Sequence, residues 1–501
     1  MLNAIGSVTA TAILCAAVTN AASAPVKIAV QWDKVISISK LHGAVQLGPV
    51  SKSTPLHDQI IHSLRDLQAD FVRYIPWYPD PKLAVAELYP PQNGKTSWNF
   101  SLLDPPLEEF LHATVGHPSI INFSTIPEWM FKTEKPVDPL KATWDYSQGS
   151  RLRVSLKELG DYYARLVSWY TQGGFRDEDG KWHESGHHFN FPYWEVLNEP
   201  ELEHATTPEQ YTERYDAIVG AVHKVSPETQ FIGMALAFPM WEPKYFIYFL
   251  NRRNHRPGIP MDYVSGHFYA FYRPDESPKE QISTVFDQAD HLLDTIRYIG
   301  AIRDQFSPRT GLIFDEIGTG AAGWVVPSSS PEYLEFEFQL STAMYAYLYG
   351  QMAALGVDAA NVSGLVPGRP GKMFQELAML DGKTGQPNNR YWGLKLLLNN
   401  IRPGDKLVAT VVSVSPPSPF GGHAPRQLPV YAQGILTQGG VRKLLLVNKC
   451  EGDREVNIPG AHMARMEFLD QTSRNRLATV AQLASETITL HRLAVAIVTF
   501  R

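Results

Sequence analysis

The chain has 501 residues, of which 44% are hydrophobic and 19% charged, with a formal net charge of −6 and two cysteines. That composition fits a globular protein with a large core and about two domains. The acidic balance, without a basic run, argues against nucleic acid as a partner, and the scarcity of cysteine excludes a cysteine-rich metal site.

Residues 1–24 are small and apolar, contain no acidic residue and end in Ala22-Ser23-Ala24. They read as a secretory signal peptide, so the mature protein is expected to be extracellular. Its removal would leave Cys450 as a lone thiol. Further on, no stretch approaches the roughly 20 apolar residues of a membrane span. Sequons occur at Asn99, Asn122 and Asn361. The last two fall in apolar runs expected to be buried, which leaves Asn99 as the candidate acceptor.

Eight apolar runs alternate with helical patterns along residues 25–400. The first expected strand is 26–31. Residues 54–68 follow as a helix, with Thr54 as its cap and Pro55 in its first turn. The second strand, 70–75, delivers Arg73 and leads to Trp77. The third, 119–124, leads through Pro127 to Trp129. After a helix over 154–171 comes a polar insertion, 172–190, which holds His183, His187 and His188. These histidines lack the spacing of a metal site, and no metal or other cofactor is expected.

The fourth strand opens with the apolar and aromatic run from Tyr193, turns polar at Asn198-Glu199-Pro200 and is expected to end at Glu199. Pro200 has no N–H to extend the ladder, so a carboxylate is left at the strand's carboxyl end. Thr207 to Gln210 open the next helix as a capping box. The fifth strand is 230–236. The sixth, about 262–269, ends in His267 and Tyr269, two residues apart and therefore on one side. A long helix over 278–305 leads to the seventh strand, 311–316, which repeats the design of the fourth: an apolar run, then Asp315-Glu316, then turning glycines. Asp315, adjacent on the strand, is expected to face away from Glu316. A helix near 331–355, an eighth strand near 356–364 and a helix near 387–400 complete the series. Eight β-then-α units make a (β/α)8 barrel, whose chemistry sits at the carboxyl ends of the strands. From 401 to 501 the pattern changes to six short strands parted by Pro, Gly and Asn turns, which read as a small antiparallel β-sandwich.

Two strands that each deliver a glutamate to one barrel face suit glycoside hydrolysis, which needs a proton donor and a nucleophile or base. The aromatic-x-x-x-Asn-Glu-Pro run and the strand-terminal Glu316 resemble the retaining glycoside hydrolases of clan A. The segment Ser124 to Trp129, His267, Tyr269 and the β-rich tail make the resemblance closest to glycoside hydrolase family 39, which holds β-xylosidases and α-L-iduronidases. The resemblance implies Glu199 as acid/base, Glu316 as nucleophile and Asn198 as a ligand of the sugar 2-hydroxyl. It also implies a tail sandwich that borrows strands from before the barrel, a contribution expected to be small here because little precedes Val26. From their positions, Tyr269 is expected to bond Glu316, His267 to meet substrate and Arg73 to orient the nucleophile. Trp77, Trp129 and Trp324 are expected as stacking walls for a carbohydrate. A uronate substrate would need a cationic pocket, for which Arg73, Lys132 and Arg273 lie near strand ends. The competing readings are a carbohydrate-binding protein on a barrel that has lost catalysis, and a zinc-dependent barrel hydrolase.

Overall fold

The computed structural model describes residues 25–76, 81–132, 138–140, 151–324, 330–366, 377–414 and 428–501. Its first strand, β1 (Val26–Ile38), corrects the expectation that 26–31 opens the barrel. β1 runs antiparallel to a strand of the tail, with Val26 opposite Val414 and Val30 opposite Thr410. The physical reason lies in its pattern. Val26 and Ile28 are buried while Lys27 and Ala29 are exposed. This alternation suits a sheet with one wet face, whereas a barrel strand is covered on both sides.

The barrel instead opens with β2 (His42–Leu47), which continues with β3 (Phe71–Tyr74) and β4 (Ser119–Ile121). The polar insertion is a hairpin of β5 (Gly174–Arg176) and β6 (Trp182–Glu184). The remaining barrel strands are β7 (Tyr193–Glu195), β8 (Gln230–Leu236), β9 (Tyr263–Tyr272), β10 (Gly311–Ala321) and β11 (Ala359–Val362). All neighbours are parallel, and the barrel closes in the order β2-β3-β4-β7-β8-β9-β10-β11.

The helices are α1 (His57–Leu67), α2 (Asp104–Ala113), α3 (Leu156–Thr171), α4 (Pro208–Val225), α5 (Pro243–Phe249), α6 (Pro278–Phe306), α7 (Pro331–Leu355) and α8 (Asn389–Asn400). α4 has the expected capping box between Thr207 and Gln210. α1 lacks the expected Thr54 cap. It starts behind Leu56 in the left-handed region, and Thr54 accepts the Ser51 N–H instead.

The tail holds β12 (Lys406–Val414), β13 (Val430–Leu436), β14 (Arg442–Asn448), β15 (Arg454–Asn457), β16 (Arg465–Leu469), β17 (Thr479–Gln482), β18 (Thr487–Leu490) and β19 (Val495–Thr499). With β1 they form one sheet in the order β17-β16-β19-β14-β13-β12-β1-β15-β18. All its pairs are antiparallel except β1 with β15. The sheet folds over a core that includes Val26, Ile28, Leu444, Leu446, Val456 and Val498. So β1, with neighbours on both sides, is a central strand of the sandwich, not the small contribution expected.

Inside the barrel, Ile120, Ile232, Ile313 and Ala359 make an apolar floor, with Phe71, Tyr193 and Tyr263 against it. A cavity of about 330 Å³ lies at this end, opposite the carboxyl ends of the strands. Above the floor the inward side chains are ionic.

Candidate active site

The site is built around Arg73, which the sequence places inward on β3 and the structure buries completely. Its Nε donates to Glu195 Oε2 at 2.7 Å, one Nη to Glu316 Oε1 at 2.6 Å and Gln46 Oε1 at 2.5 Å, and the other Nη to Asn198 Oδ1 at 2.8 Å. A guanidinium has five donors in a rigid fork, so one side chain can fix strands β2, β3, β7 and β10 relative to one another.

Glu316 has three such holders. Arg73 is one. Tyr269 donates its hydroxyl to Oε2 at 2.5 Å and is itself 2.7 Å from Ser363 Oγ. His267 Nδ1 stands 3.5 Å from the same oxygen. Burial penalises the Glu316 carboxylate, but the charges of His267 and Arg73 and the two hydrogen bonds outweigh it, so its pKa lies below the usual value. The group is ionised at neutral pH.

His267 is also fully buried, which by itself disfavours a charged ring. The neighbouring acids, Glu316 first, overcome that penalty and raise its pKa to about 10. It is therefore an imidazolium, and its Nδ1–H reaches Glu199 Oε1 at 2.9 Å. An oxygen of Glu199 and an oxygen of Glu316 lie within 4.8 Å of one another. His267 thus faces both members of the carboxyl pair.

Beyond β7 the backbone is strained where it turns into the site. Leu197 (φ 65°) and Glu199 (φ 41°) both occupy the left-handed region, which costs a residue with a Cβ about 1–3 kcal/mol. Local bonds hold the turn: Asn122 Nδ2 donates to the Leu197 carbonyl, and the Glu199 N–H donates to Ala235 O on β8. Asn198 is buried, with Oδ1 accepting from Arg73 and Nδ2 donating to Glu203 at 2.9 Å. Among the described residues only Glu203 accepts from this amide, which has two hydrogens to donate.

Asp315 does not face away from Glu316. Against β9 the register passes from Phe314 opposite Gly266 to Glu316 opposite His267, so Asp315 is an extra residue in the ladder. Such a bulge breaks the period of two and turns both acids inward. Asp315 is fully buried, and none of the described residues donates a hydrogen bond to either of its oxygens. Burial, then the charge of Glu195, pushes it well above the carboxylate range. Glu195 goes the other way: burial opposes its charge, but Arg73 prevails and holds its pKa down. Asp315 therefore keeps its proton while Glu195 stays ionised beneath Glu316. Neighbouring residues face opposite ways only along an unbroken ladder, which the bulge at Asp315 interrupts.

Trp129 is half-buried, and its indole N–H is committed to the Glu87 carbonyl at 2.9 Å. Trp77 lies outside the described residues, as does the side chain of Trp324. The histidines of the insertion do not converge. His183 pairs with Asp177 at 2.7 Å, while His187 faces Asp104 and Glu108. Two groups of potential metal ligands occur among the described residues: Asp104, Glu108 and His187, and the site trio Glu199, His267 and Glu316. A metal at the second group would have to displace the proton that the neighbouring acids hold on His267. The suggested cationic pocket is not assembled from the three named residues. Arg73 is committed to Glu195 and Glu316, Arg273 sits in the open beside Asp275, and Lys132 is exposed.

Several site residues escaped the sequence reading. Glu195 sits one residue past Trp194, a charge inside an apolar strand, and was legible as an inward acid. Gln46 was hidden because β2 was not recognised. Asn122 was noted only as a buried sequon.

A parallel barrel with a facing carboxyl pair beyond its fourth strand and on its seventh has the architecture of clan A, and the chain is a glycoside hydrolase. Its sequence likeness is to family 39: the profile of "Glycosyl hydrolases family 39" matches residues 182–327, the segment that carries both glutamates. No curated protein matches the chain by sequence. Solved structures share its fold. The family 51 arabinofuranosidase from Xanthomonas axonopodis pv. citri superposes with a TM-score of 0.63 at 13% identity, covering 95% of this chain and 100% of its own. A family 51 α-L-arabinofuranosidase from Bifidobacterium longum gives 0.62 at 14% identity, covering 96% and 100%. A family 30 endoxylanase from Clostridium papyrosolvens C71 gives 0.56 at 14% identity, covering 95% and 100%.

Proposed function

We propose that the chain is a retaining glycosidase in which Glu316 attacks the anomeric carbon and Glu199 serves as acid, then base. The observation that carries this reading is the short gap between the two carboxyls, with oxygens within 4.8 Å. Retaining enzymes separate their carboxyl groups by about 5–5.5 Å, whereas inverting ones leave about 6.5–9.5 Å for a water. The surroundings divide the roles. Glu316 receives Arg73 and Tyr269, which keep it a ready anion. Glu199 lies on the turn after β7, and its hydrogen-bond partner is His267. In the acid role Glu199 carries the proton, and the charges then close: Arg73 and His267 positive, Glu195 and Glu316 negative.

In the first step Glu316 displaces the leaving group while Glu199 protonates its oxygen, giving a glycosyl ester of Glu316. In the second, Glu199 takes a proton from water, whose oxygen attacks the anomeric carbon on the face opposite Glu316; the bond to Glu316 breaks and its carboxylate is released. The test is proton NMR of the first-formed sugar from an accepted aryl glycoside. Retained anomeric configuration is expected; an inverted first product overturns the mechanism, and no product with any glycoside favours the binding-protein reading.

Secretion belongs to the same proposal. It is supported by the signal-like composition of residues 1–24 and by the exposed sequon at Asn99. Protein recovered from culture medium should begin near Pro25; retention of the full chain inside the cell would contradict it.

A further inference from the structure

The loop after β8 carries two exposed aromatic rings that the catalytic mechanism does not use. Trp241 is 74% exposed and Phe238 38% exposed, and their rings stack at 5.6 Å with planes 15° apart. Two large rings stacked in the open offer a flat apolar face, the kind of surface on which a ligand ring can lie. The pair is rigidly set. Trp241 and Glu242 both donate their backbone N–H groups to the Phe238 carbonyl.

Its position relative to the chemistry is fixed by one side chain. Glu201, two residues past Glu199, accepts the Phe238 N–H on Oε1 at 2.9 Å. Glu201 is largely buried, and burial followed by the nearby charge of Glu199 pushes it up to about 7. The turn bearing Glu199 and the turn bearing the rings are therefore tied together at the carboxyl end of the barrel. Leu202, 56% exposed, extends the apolar surface from the Glu199 side.

The proton donor of a glycosidase stands on the side from which the leaving group departs. The platform is joined to the donor's own loop by the bond from Phe238 to Glu201. We propose that Phe238 and Trp241 form an aglycone subsite, on which the sugar ring beyond the scissile bond stacks, so that the substrate is an oligosaccharide and not a glycoside of a small alcohol. This rests on the glycosidase reading above and adds the class of leaving group.

The experiment compares wild type, Trp241→Ala and Trp241→Phe on matched pairs: β-D-xylosyl fluoride with xylobiose, β-D-glucosyl fluoride with cellobiose, and α-L-arabinofuranosyl fluoride with arabinobiose. Fluoride has no ring to stack, while each disaccharide has one. For the accepted pair, Trp241→Ala should lower the ratio of disaccharide to fluoride kcat/KM by about tenfold, the worth of one aromatic stacking contact. Trp241→Phe should restore most of that ratio, since it keeps a ring. Because Trp241 is mostly exposed, both variants should keep the wild-type far-UV signal and melting temperature. A ratio that stays within about twofold of wild type overturns the platform while leaving the glycosidase reading intact. Wild type that turns over no glycosyl fluoride, in a panel that adds galactosyl, mannosyl, fucosyl and uronosyl donors to these three, overturns the glycosidase reading, and the platform's role falls with it.

Discussion

Tyr269 shows how a single hydroxyl sets the working range of the site. Its O–H reaches Glu316 at 2.5 Å, and burial together with the Glu316 charge holds its own pKa well above 10, so it remains a donor throughout the ordinary pH range. A donor to a carboxylate favours the charged form, and removing it favours the protonated form. In Tyr269→Phe the pKa of Glu316 should therefore rise, and the acid limb of kcat/KM should move to higher pH. Arg73 and His267 remain, so the group still ionises below neutrality. Loss of a hydrogen bond to a charged group costs about 1.5–3 kcal/mol, roughly a ten- to hundredfold loss of rate if it acts fully in the transition state. A pH–rate profile checks both effects. An acid limb that stays in place would show that Tyr269 only packs beside Glu316.

At the scale of elements, the sequence was legible wherever a run was long or strictly periodic. The fifth to seventh barrel strands, α4 with its capping box and the long α6 and α7 all fall where periodicity puts them. The carboxyl pair was legible too, because both glutamates follow apolar runs and precede Pro200 or Gly318. What failed was assignment of partners. Val26 to Gln31 reads as a strand from either sheet, and only its long-range pairing with β12 tells which. Once those residues were counted into the barrel, six-residue β2, with His42, Gly43 and Gln46 in it, was surplus and went unseen. The four-residue strands β15 and β17 are too short to carry a detectable period, and both mix polar with apolar residues. The bulge at Asp315 was hidden for another reason. It is a property of register against β9, not of the residues in β10.

At the scale of the whole molecule, the sandwich is a second wall of the barrel's own core. Along β14, Leu444 and Leu446 face the sandwich interior, while Leu445 and Val447 join the cluster that holds α7 residues Leu340, Met344 and Leu348. β19 divides the same way, with Ala496 and Val498 inward and Val495 and Ile497 toward the barrel. A period of two lets one strand serve two cores. The seam closes at Gly350 in α7. A Cβ there would lie 2.5 Å from Tyr431 Oη, 2.9 Å from its Cε1 and 3.1 Å from Leu445 Cδ2. The Tyr431 ring is stiff and packs edge-on against Tyr347 at 5.1 Å, so it has little room to retreat. Gly300 in α6 is the natural control, with nothing within 4 Å of its Cβ position. Replacing a glycine inside a helix by alanine gains about 0.5–1 kcal/mol, and overpacking costs about 1–3 kcal/mol. Gly300→Ala should therefore raise the melting temperature and Gly350→Ala should lower it, although their helix propensities change alike. Because the two cores share α7, Gly350→Ala should still melt in one transition, with near-UV and far-UV signals moving together. A rise in melting temperature for Gly350→Ala would mean that the seam has slack. A split transition would mean that barrel and sandwich are held together too weakly to unfold as one.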